Sequence, residues 1–471
     1  MIPITEYAGR DVAVFGLGRS GLSAARALKA GGARVHAWDD NEETRAKAEA
    51  AGVALSDINK RDWQTFAALV LSPGISYKFP QPHRLVRLAE MTGVPVIGDM
   101  ELFARAVQAL PERARPKVVG ITGTNGKSTT TALIGHILKQ AGRDARIGGN
   151  IGTGVLDLAA LHSNSVYVLE LSSYQLDLVK SLHCDVAVFL NLSPDHLDRH
   201  GGMDGYQAAK MRIFQNQTSK DTAVVGFDDL YSQSVAIGLS ARGPQKVVQI
   251  SSTYTLGRGI SSVDGHLYDN QSGKAERLGK ITDCPALIGR HNFQNAAAAY
   301  AACRALNLDP ATIMAGIQTF PGLPHRMETA GEIGGVRFVN DSKATNAQAA
   351  EQALRAFSNI YWIAGGVAKS DGIAPLAPLY PNITKAYLIG QSEDVFAATL
   401  SGKVPVQRCG TLERAVEAAA RDAKAAGQPD AVVLFSPACA SFDQFRDFEH
   451  RGDVFRSLVQ AMASAGVRAT A

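Results

Sequence analysis

With 471 residues the chain is too long for one ordinary hydrophobic core, and about three domains are expected. Hydrophobic residues at 46% and charged residues at 20% exclude a disordered or fibrous chain and fit a globular enzyme. The net charge of +4 comes without a lysine- and arginine-rich block, so nucleic acid is not an expected partner, although the balance suits a phosphorylated substrate.

The opening stretch M-I-P-I-T-E-Y-A-G-R has no apolar core region, and no apolar run is long enough to span a bilayer, so a cytoplasmic location is expected. Five scattered cysteines, without C-x-x-C spacing, fit reduced thiols better than a disulfide or zinc framework.

The first predicted unit starts with a strand from Val12 to Phe15, the loop Gly16-Leu17-Gly18-Arg19-Ser20-Gly21, a helix rich in alanine and leucine, and a strand from Arg34 to Trp38. This is a G-x-G-x-x-G loop with an acid, Asp39, 18 residues past its last glycine. On the residues alone three readings stand side by side. The loop holds a nicotinamide dinucleotide, or a nucleoside diphosphate whose pyrophosphate rests on the same helix N-terminus, or only permits close packing. A strand ending at Ser72-Pro73-Gly74 and another around Val94 to Gly98 continue the pattern. The proline-bearing, charged stretch Leu110 to Pro116 marks a first boundary, giving a domain over 1–110.

The second unit opens with K-V-V-G-I-T-G-T-N-G-K-S-T-T-T, residues 117–131, which reads as strand, phosphate loop and helix. A polyphosphate needs several backbone N–H groups at once, which glycines allow, at the positive end of a helix. Lys127 supplies a charge for the terminal phosphates, and the Ser128 hydroxyl is placed for Mg2+. The glycines fall at 120, 123 and 126, so the loop is a variant of G-x-x-x-x-G-K-[ST], with Ile121 where that pattern has glycine. Downstream, Ile147 to Gly152 reads as a glycine-rich loop, and Val166 to Glu170 as a buried strand ending in a carboxylate, a usual second holder of Mg2+.

The run Val186 to Asn191 is another buried strand, followed by Asp195, His196, Asp198, Arg199 and His200, a cluster suited to metal or phosphate chemistry. Pattern alone makes Lys210, in a helical segment, a surface lysine. From about Ala223 to Ile281 short strands and turns, with the hairpin-like Asp264-Gly265, predict a small, partly antiparallel side sheet. A helix with a run of alanines follows from Asn292, and the second boundary falls in the proline-rich Phe320 to Arg326. The central domain is thus 111–322 and the last one 323–471.

In the last domain the β/α alternation resumes: strands at 336–340, 360–364, 386–389 and 431–435, with helices from Asn346, Leu412 and Phe442. Polar clusters at the strand ends, around Asp341 to Asn346, Gly365 to Lys369 and Ser436 to Phe448, read as sites, because ligands gather at the carboxyl ends of parallel strands. The expected class is therefore α/β with three domains: a Rossmann-like N-terminal domain, a central phosphate-loop ATPase domain with its side sheet, and a Rossmann-like C-terminal domain.

The order and content of G-I-T-G-T-N-G-K-S-T-T, E-L-S-S-Y-Q-L-D (170–177), N-L-S-P-D-H-L-D-R-H (191–200), G-R-H-N-F-Q-N-A (289–296), H-R-M-E (325–328) and N-D-S-K-A-T-N (340–346) resemble the ATP-dependent Mur ligases. The resemblance spans all three domains. Within it, F-S-P-A-C-A-S-F-D-Q-F-R-D-F-E-H-R-G (435–452) is similar to the member that joins D-glutamate to UDP-N-acetylmuramoyl-L-alanine. The implied chemistry is ATP-dependent phosphorylation of the L-alanyl carboxylate, then attack of the D-glutamate amine on the acyl phosphate. ATP and Mg2+ are the implied cofactors, small molecules the partners, and a monomer the expected state.

The resemblance also implies residue roles. Gly123, Thr124, Asn125, Gly126, Lys127, Ser128 and Thr129 would bind the ATP phosphates, with Asn295, His325, Arg326 and Asp341 at adenine and ribose. Ser128, Glu170, His196 and Lys210, the last carbamylated, would serve the metals, and Lys127, His196 and Lys210 the catalysis. Gly18, Arg19, Ser20, Asp39, Ser72 and Asn150 would meet the UDP substrate, and Thr345, Lys369, Ser441 and Phe448 D-glutamate. The family's Asp-Thr-Arg at the uracil end is replaced here by Asp39-Asp40-Asn41, with Arg45 following. The resemblance favours the UDP reading of the first glycine loop over the dinucleotide one.

Overall fold

The structure, a computed structural model, describes residues 1–287, 289–368 and 372–469, with 465–469 as backbone only. It divides into two compact units, Met1–Asp283 with Arg290–Phe320 and Cys284–Gly289 with Pro321–Ala471. Among the described residues no helix is long and apolar enough to cross a membrane.

The first unit carries two sheets. The smaller is all parallel, in the order Arg34–Trp38, Asp11–Phe15, Phe66–Leu71, Val96–Ile97. The larger has nine strands. Its parallel core runs Thr222–Gly226, Val186–Phe189, Lys117–Thr122, Ser165–Glu170, Asp144–Gly149; all but the edge strand Asp144–Gly149 are largely apolar runs, as expected for strands covered on both faces. The residues expected as a side sheet continue this same sheet. Lys246–Ser251 pairs in parallel with Thr222–Gly226, and only beyond Ile260–Val263 does pairing become antiparallel. The hairpin at Asp264-Gly265 has both residues at positive φ (51° and 73°), the mirror-type turn that an Asp-Gly pair favours.

One expected loop is a strand: Ile147, Gly148 and Gly149 end Asp144–Gly149, paired with Ser165–Glu170, and the chain turns only at Asn150. The alanine-rich helix Arg290–Ala305 packs on the helix Lys127–Gln140, and its small buried side chains let the two approach closely. The two sheets of this unit are joined through Glu101, whose side chain is fully buried on the helix Asp99–Gln108. One carboxylate oxygen accepts from the backbone N–H of Lys180 (2.7 Å) and Ser181 (2.8 Å), the other from Ser181 Oγ and Arg105 Nε, both at 2.8 Å.

The second unit has a six-stranded sheet in the order Glu328–Ile333, Val336–Asn340, Val432–Phe435, Ile360–Gly365, Ile383–Ile389, Val406–Gly410. All pairs are parallel except the first, in which the unforeseen edge strand Glu328–Ile333 runs antiparallel to its neighbour. The last helix starts at Phe448, not Phe442. Phe445 N donates to Ser441 O in a turn, and Asp447 supplies the helix cap, its side chain accepting from His450 N at 2.7 Å.

Burial opposes ionisation of Glu101, but its four hydrogen bonds outweigh that and hold its pKa below the ordinary glutamate value. Its contribution is therefore present at neutral pH and lost as pH falls through the carboxylate range. Glu101→Ala is expected to cost about 3 kcal/mol in urea unfolding at neutral pH, because it strands two backbone donors and Arg105. A cost under about 1 kcal/mol would show that the two sheets are held together by other contacts.

Candidate functional site

The phosphate loop is set by its own backbone. Gly123 (φ 148°) and Gly126 (φ 84°) adopt conformations that side chains rarely tolerate. A Cβ on Gly126 would also stand 2.2 Å from Asn295 Oδ1. Gly126 caps the helix Lys127–Gln140, whose first turn buries Ser128, Thr129 and Thr130. Asn191 braces the loop from the next strand: its Oδ1 accepts from Asn125 N (2.9 Å) and its amide donates to Asn125 O. Thr124 N donates to Asn191 O, and Thr130 Oγ1 to Asn295 Oδ1 at 3.2 Å.

Beside this loop sits a charge arrangement that the sequence pattern did not show. Lys210, expected at the surface, is 1% exposed, and its Nζ donates to Gly123 O at 2.8 Å. Lys127 Nζ donates to the same oxygen at 2.9 Å and to Thr124 O at 2.8 Å. Burial first, then repulsion from Lys127, pushes the Lys210 pKa well below the ordinary lysine value. Its Nζ also lies 4.6 Å from the ring centroid of Tyr206, whose hydroxyl is within 3.3 Å of Thr124 Oγ1.

Glu170 pairs across the sheet with Ile121 and so stands next to the loop's root. Its Oε1 accepts from Asn150 Nδ2 at 2.6 Å, while its buried Oε2 has no hydrogen-bond partner among the described residues. A buried carboxylate oxygen left open, on a strand paired with the one that leads into the phosphate loop, fits a hard divalent cation as one of its ligands. His196, in left-handed conformation (φ 52°), lies in the segment following the adjacent strand, with Nε2 3.3 Å from Asp195. Partial burial, then the lysines Lys210 and Lys127, outweighs Asp195 and lowers its pKa, favouring the neutral ring. Among the described residues no three His, Cys, Asp or Glu side chains converge, so a metal here would draw on Ser128, Lys210 or the substrates as well.

The first sheet brings its own residues to the same unit. Gly18 caps the helix Arg19–Ala30, and Asp39 accepts from Leu17 N at 2.7 Å and from Asn41 N, which ties the acid to the glycine loop. Arg19 donates to the carbonyls of Asn150 and Gly152, each at 2.9 Å. Ser20 and Gln175 hydrogen-bond the fully buried Asp99, whose pKa burial raises. Ser72 packs against Gly16, where a Cβ would come within 2.6 Å of its own.

In the second unit Asp341 directly follows the strand Val336–Asn340 with its carboxyl buried. It accepts from Ser436 Oγ at 2.8 Å and Met327 N at 3.3 Å, and burial, only partly offset by Ser436 and Arg326, pushes its pKa up to about 6. His325 (φ 60°) lies against Asn340 and Glu328, and the buried Arg326 Nε has no hydrogen-bond partner among the described residues. Ser441 is buried, and Lys343 Nζ stands 5.4 Å from the Phe448 ring centroid. Thr345 lies in the turn before the helix Ala347–Ala356. Lys369 falls outside the described residues.

Three side chains that sequence reasoning passed over belong to these surroundings. Asn191 and Tyr206 in the first unit and Arg451 in the second all lie inside or near quoted motifs; Asn191 is marked by its bracing of the phosphate loop, Tyr206 and Arg451 by burial. Arg451 is 1% exposed, donates to Ser342 O, Ser342 Oγ and Cys439 O, and keeps one Nη without a hydrogen-bond partner among the described residues. Burial lowers its pKa to about 10.

Comparison with known proteins agrees with this geometry. The Mur ligase middle domain matches residues 121–303, the Mur ligase glutamate ligase domain 325–439, and the MurD-like N-terminal domain of Mur ligases 10–98. A UDP-N-acetylmuramoylalanine--D-glutamate ligase from Phenylobacterium zucineum is 55% identical over 463 residues, 98% of each chain. A protein of the same name from Caulobacter vibrioides is 55% identical over 469 residues, 100% of this chain and 99% of the other. The solved UDP-N-acetylmuramate-alanine ligase of Thermotoga maritima shares the fold with a TM-score of 0.59 at 16% identity, covering 96% of this chain and 99% of that one. With family domains matched in all three parts of the sequence and relatives this similar along its whole length, the chain belongs to the Mur ligases.

Proposed function

We propose that this chain joins D-glutamate to UDP-N-acetylmuramoyl-L-alanine with cleavage of ATP, in the synthesis of peptidoglycan precursors on which cell shape and division depend. The observation that carries the reading is the 55% identity, over nearly the full length of both chains, to ligases named for that reaction. A phosphate loop flanked by buried charge is the equipment such a reaction needs, because an acid must become an acyl phosphate before an amine can displace the phosphate. We assign residues 1–110 to the UDP substrate, 111–322 to ATP and 323–471 to the amino acid. The chain is placed in the cytoplasm as a monomer acting on small molecules.

In this reading the backbone N–H groups from Gly123 to Thr129 hold the ATP phosphates and Lys127 neutralises the charge that builds as phosphate is transferred. Asn295, His325, Arg326 and Asp341 hold adenine and ribose. Gly18, Arg19, Ser20, Asp39, Ser72 and Asn150 hold the UDP substrate. Thr345, Lys369, Ser441 and Phe448 grip D-glutamate, and a lysine suits its side-chain carboxylate. Ser128, Glu170, His196 and Lys210 are the residues that would hold Mg2+, which when bound offsets phosphate charge. Burial and the neighbouring Lys127 lower the Lys210 pKa and so raise the share of the neutral amine that carbon dioxide requires, which supports a carbamate on Lys210. That carbamate exchanges a repelling cation for an oxygen ligand.

The purified protein is expected to release phosphate from ATP only when UDP-N-acetylmuramoyl-L-alanine and D-glutamate are both present. Equal turnover with L-glutamate, or none with D-glutamate, would sink the reading. Lys210→Ala is expected to lower the rate about 100-fold, with partial recovery in acetate or formate; an unimpaired rate, or no recovery, would contradict the carbamate. For Asp341 the folded pKa lies above the unfolded one, so the group opposes folding increasingly as pH rises from about 4 to about 6. Over that window the stability of the wild type relative to Asp341→Asn is expected to fall by about 3 kcal/mol in urea unfolding of the full chain. A flat difference would mean the carboxyl is not strained by burial.

A further inference from the structure

Arg199 lies in the single helical turn Leu197–His200, and its guanidinium leaves that turn to donate to the carbonyls of Gly74 (3.1 Å) and Ile75 (3.0 Å). Those carbonyls belong to the loop after the strand Phe66–Leu71 of the smaller sheet. Ser72 N donates to Phe15 O and Ile75 N to Ser72 O, so Ser72 to Ile75 form a closed turn fixed at one end by the strand. Arg199 fixes the other end. Its guanidinium also lies over the Tyr174 ring, 4.7 Å from the centroid.

The same short turn is held elsewhere too. His200 bridges Ser173 Oγ (2.9 Å) and Asp177 (3.1 Å) from the helix Ser173–Asp177. Gly201 sits against the Phe79 ring, where a Cβ would come within 2.8 Å. Phe79 lies in the chain that continues from Ser72 to Ile75, and Ser76 Oγ closes this segment by donating to Phe79 O. At the turn's start His196 O accepts from Arg199 N at 3.0 Å, so a shift of Arg199 is a shift of His196.

A planar cation that grips two consecutive carbonyls while stacked on an aromatic ring has one pose, which lysine cannot reproduce. We propose that Arg199 is a positioning residue that couples the two substrate sites: a UDP-linked substrate seated at Ser72 sets, through Gly74, Ile75 and Arg199, the place of the turn that bears His196 beside the phosphate loop. The inference rests on the ligase reading of Ser72 and His196. A plain structural staple would give stability without coupling.

The test is a binding titration on the full chain, which needs no turnover. A non-hydrolysable ATP analogue is titrated with and without UDP-N-acetylmuramoyl-L-alanine, and the ratio of the two dissociation constants is the coupling factor. The wild type is expected to show a factor of about five or more, and Arg199→Lys a factor near one with an unchanged thermal midpoint. Phe79→Ala, at a side chain that is already 43% exposed, is expected to lower the factor as well and decides the matter should the arginine variant not fold. A wild-type factor of one, or factors kept in both variants, would overturn the proposal. Failure of D-glutamate-dependent turnover is a separate result, which would strike the ligase reading and leave the titration standing.

Discussion

Two lysine side chains, Lys127 and Lys210, donate to one carbonyl oxygen, that of Gly123. Everything around the phosphate loop follows from holding two cations that close in a buried place. Two ammonium ions sharing an oxygen repel each other strongly once water is excluded, and the one further from solvent gives up its charge first. Lys210 is that one, enclosed by Tyr206 and the loop. Lys210, with its pKa pushed down, the open oxygen of Glu170 and the charge of Lys127 thus surround the loop that we propose holds a polyphosphate.

The buried carboxylates of this protein divide by how their oxygens are satisfied. Glu101 has four donors and is an ionised fastener between two sheets. Glu170 has one oxygen tied to Asn150 and one left open, the incomplete satisfaction expected of a ligand-binding group. Asp341 has two modest donors in full burial, and its pKa rises in consequence. Burial alone does not set the charge of these acids; the donors that each one meets do.

Much of this was legible from the chain alone, where the signal is local. The phosphate loop, the strand ending at Glu170 and the β/α alternation of the last domain are written in consecutive residues, and the motifs carried the resemblance. What was not legible depends on distant partners. Lys210 reads as a surface lysine because its burial comes from Gly123, 87 positions away. The glycines at 148 and 149 hid a strand because the ladder with Ser165–Glu170, and not propensity, holds them extended. The late start of the last helix had a local cue, the capping Asp447, that the aromatic run from Phe442 obscured. The side-sheet strands were seen, but their continuity with the parallel core rests on pairing between Thr222–Gly226 and Lys246–Ser251, which no local pattern states.

The loop's glycine spacing, with Ile121 where the common pattern has glycine, is compatible with the same function because the conformations that matter sit at Gly123 and Gly126. Their purpose in the proposed reaction is to bring the terminal phosphate of ATP to a carboxylate oxygen. Oxygen-18 placed in the L-alanyl carboxylate of the UDP substrate tests this most directly. Transfer of one labelled oxygen to the released phosphate at each turnover is expected, since the carboxylate oxygen becomes the bridging atom of the acyl phosphate. Phosphate released without label, while amide is formed, would contradict it.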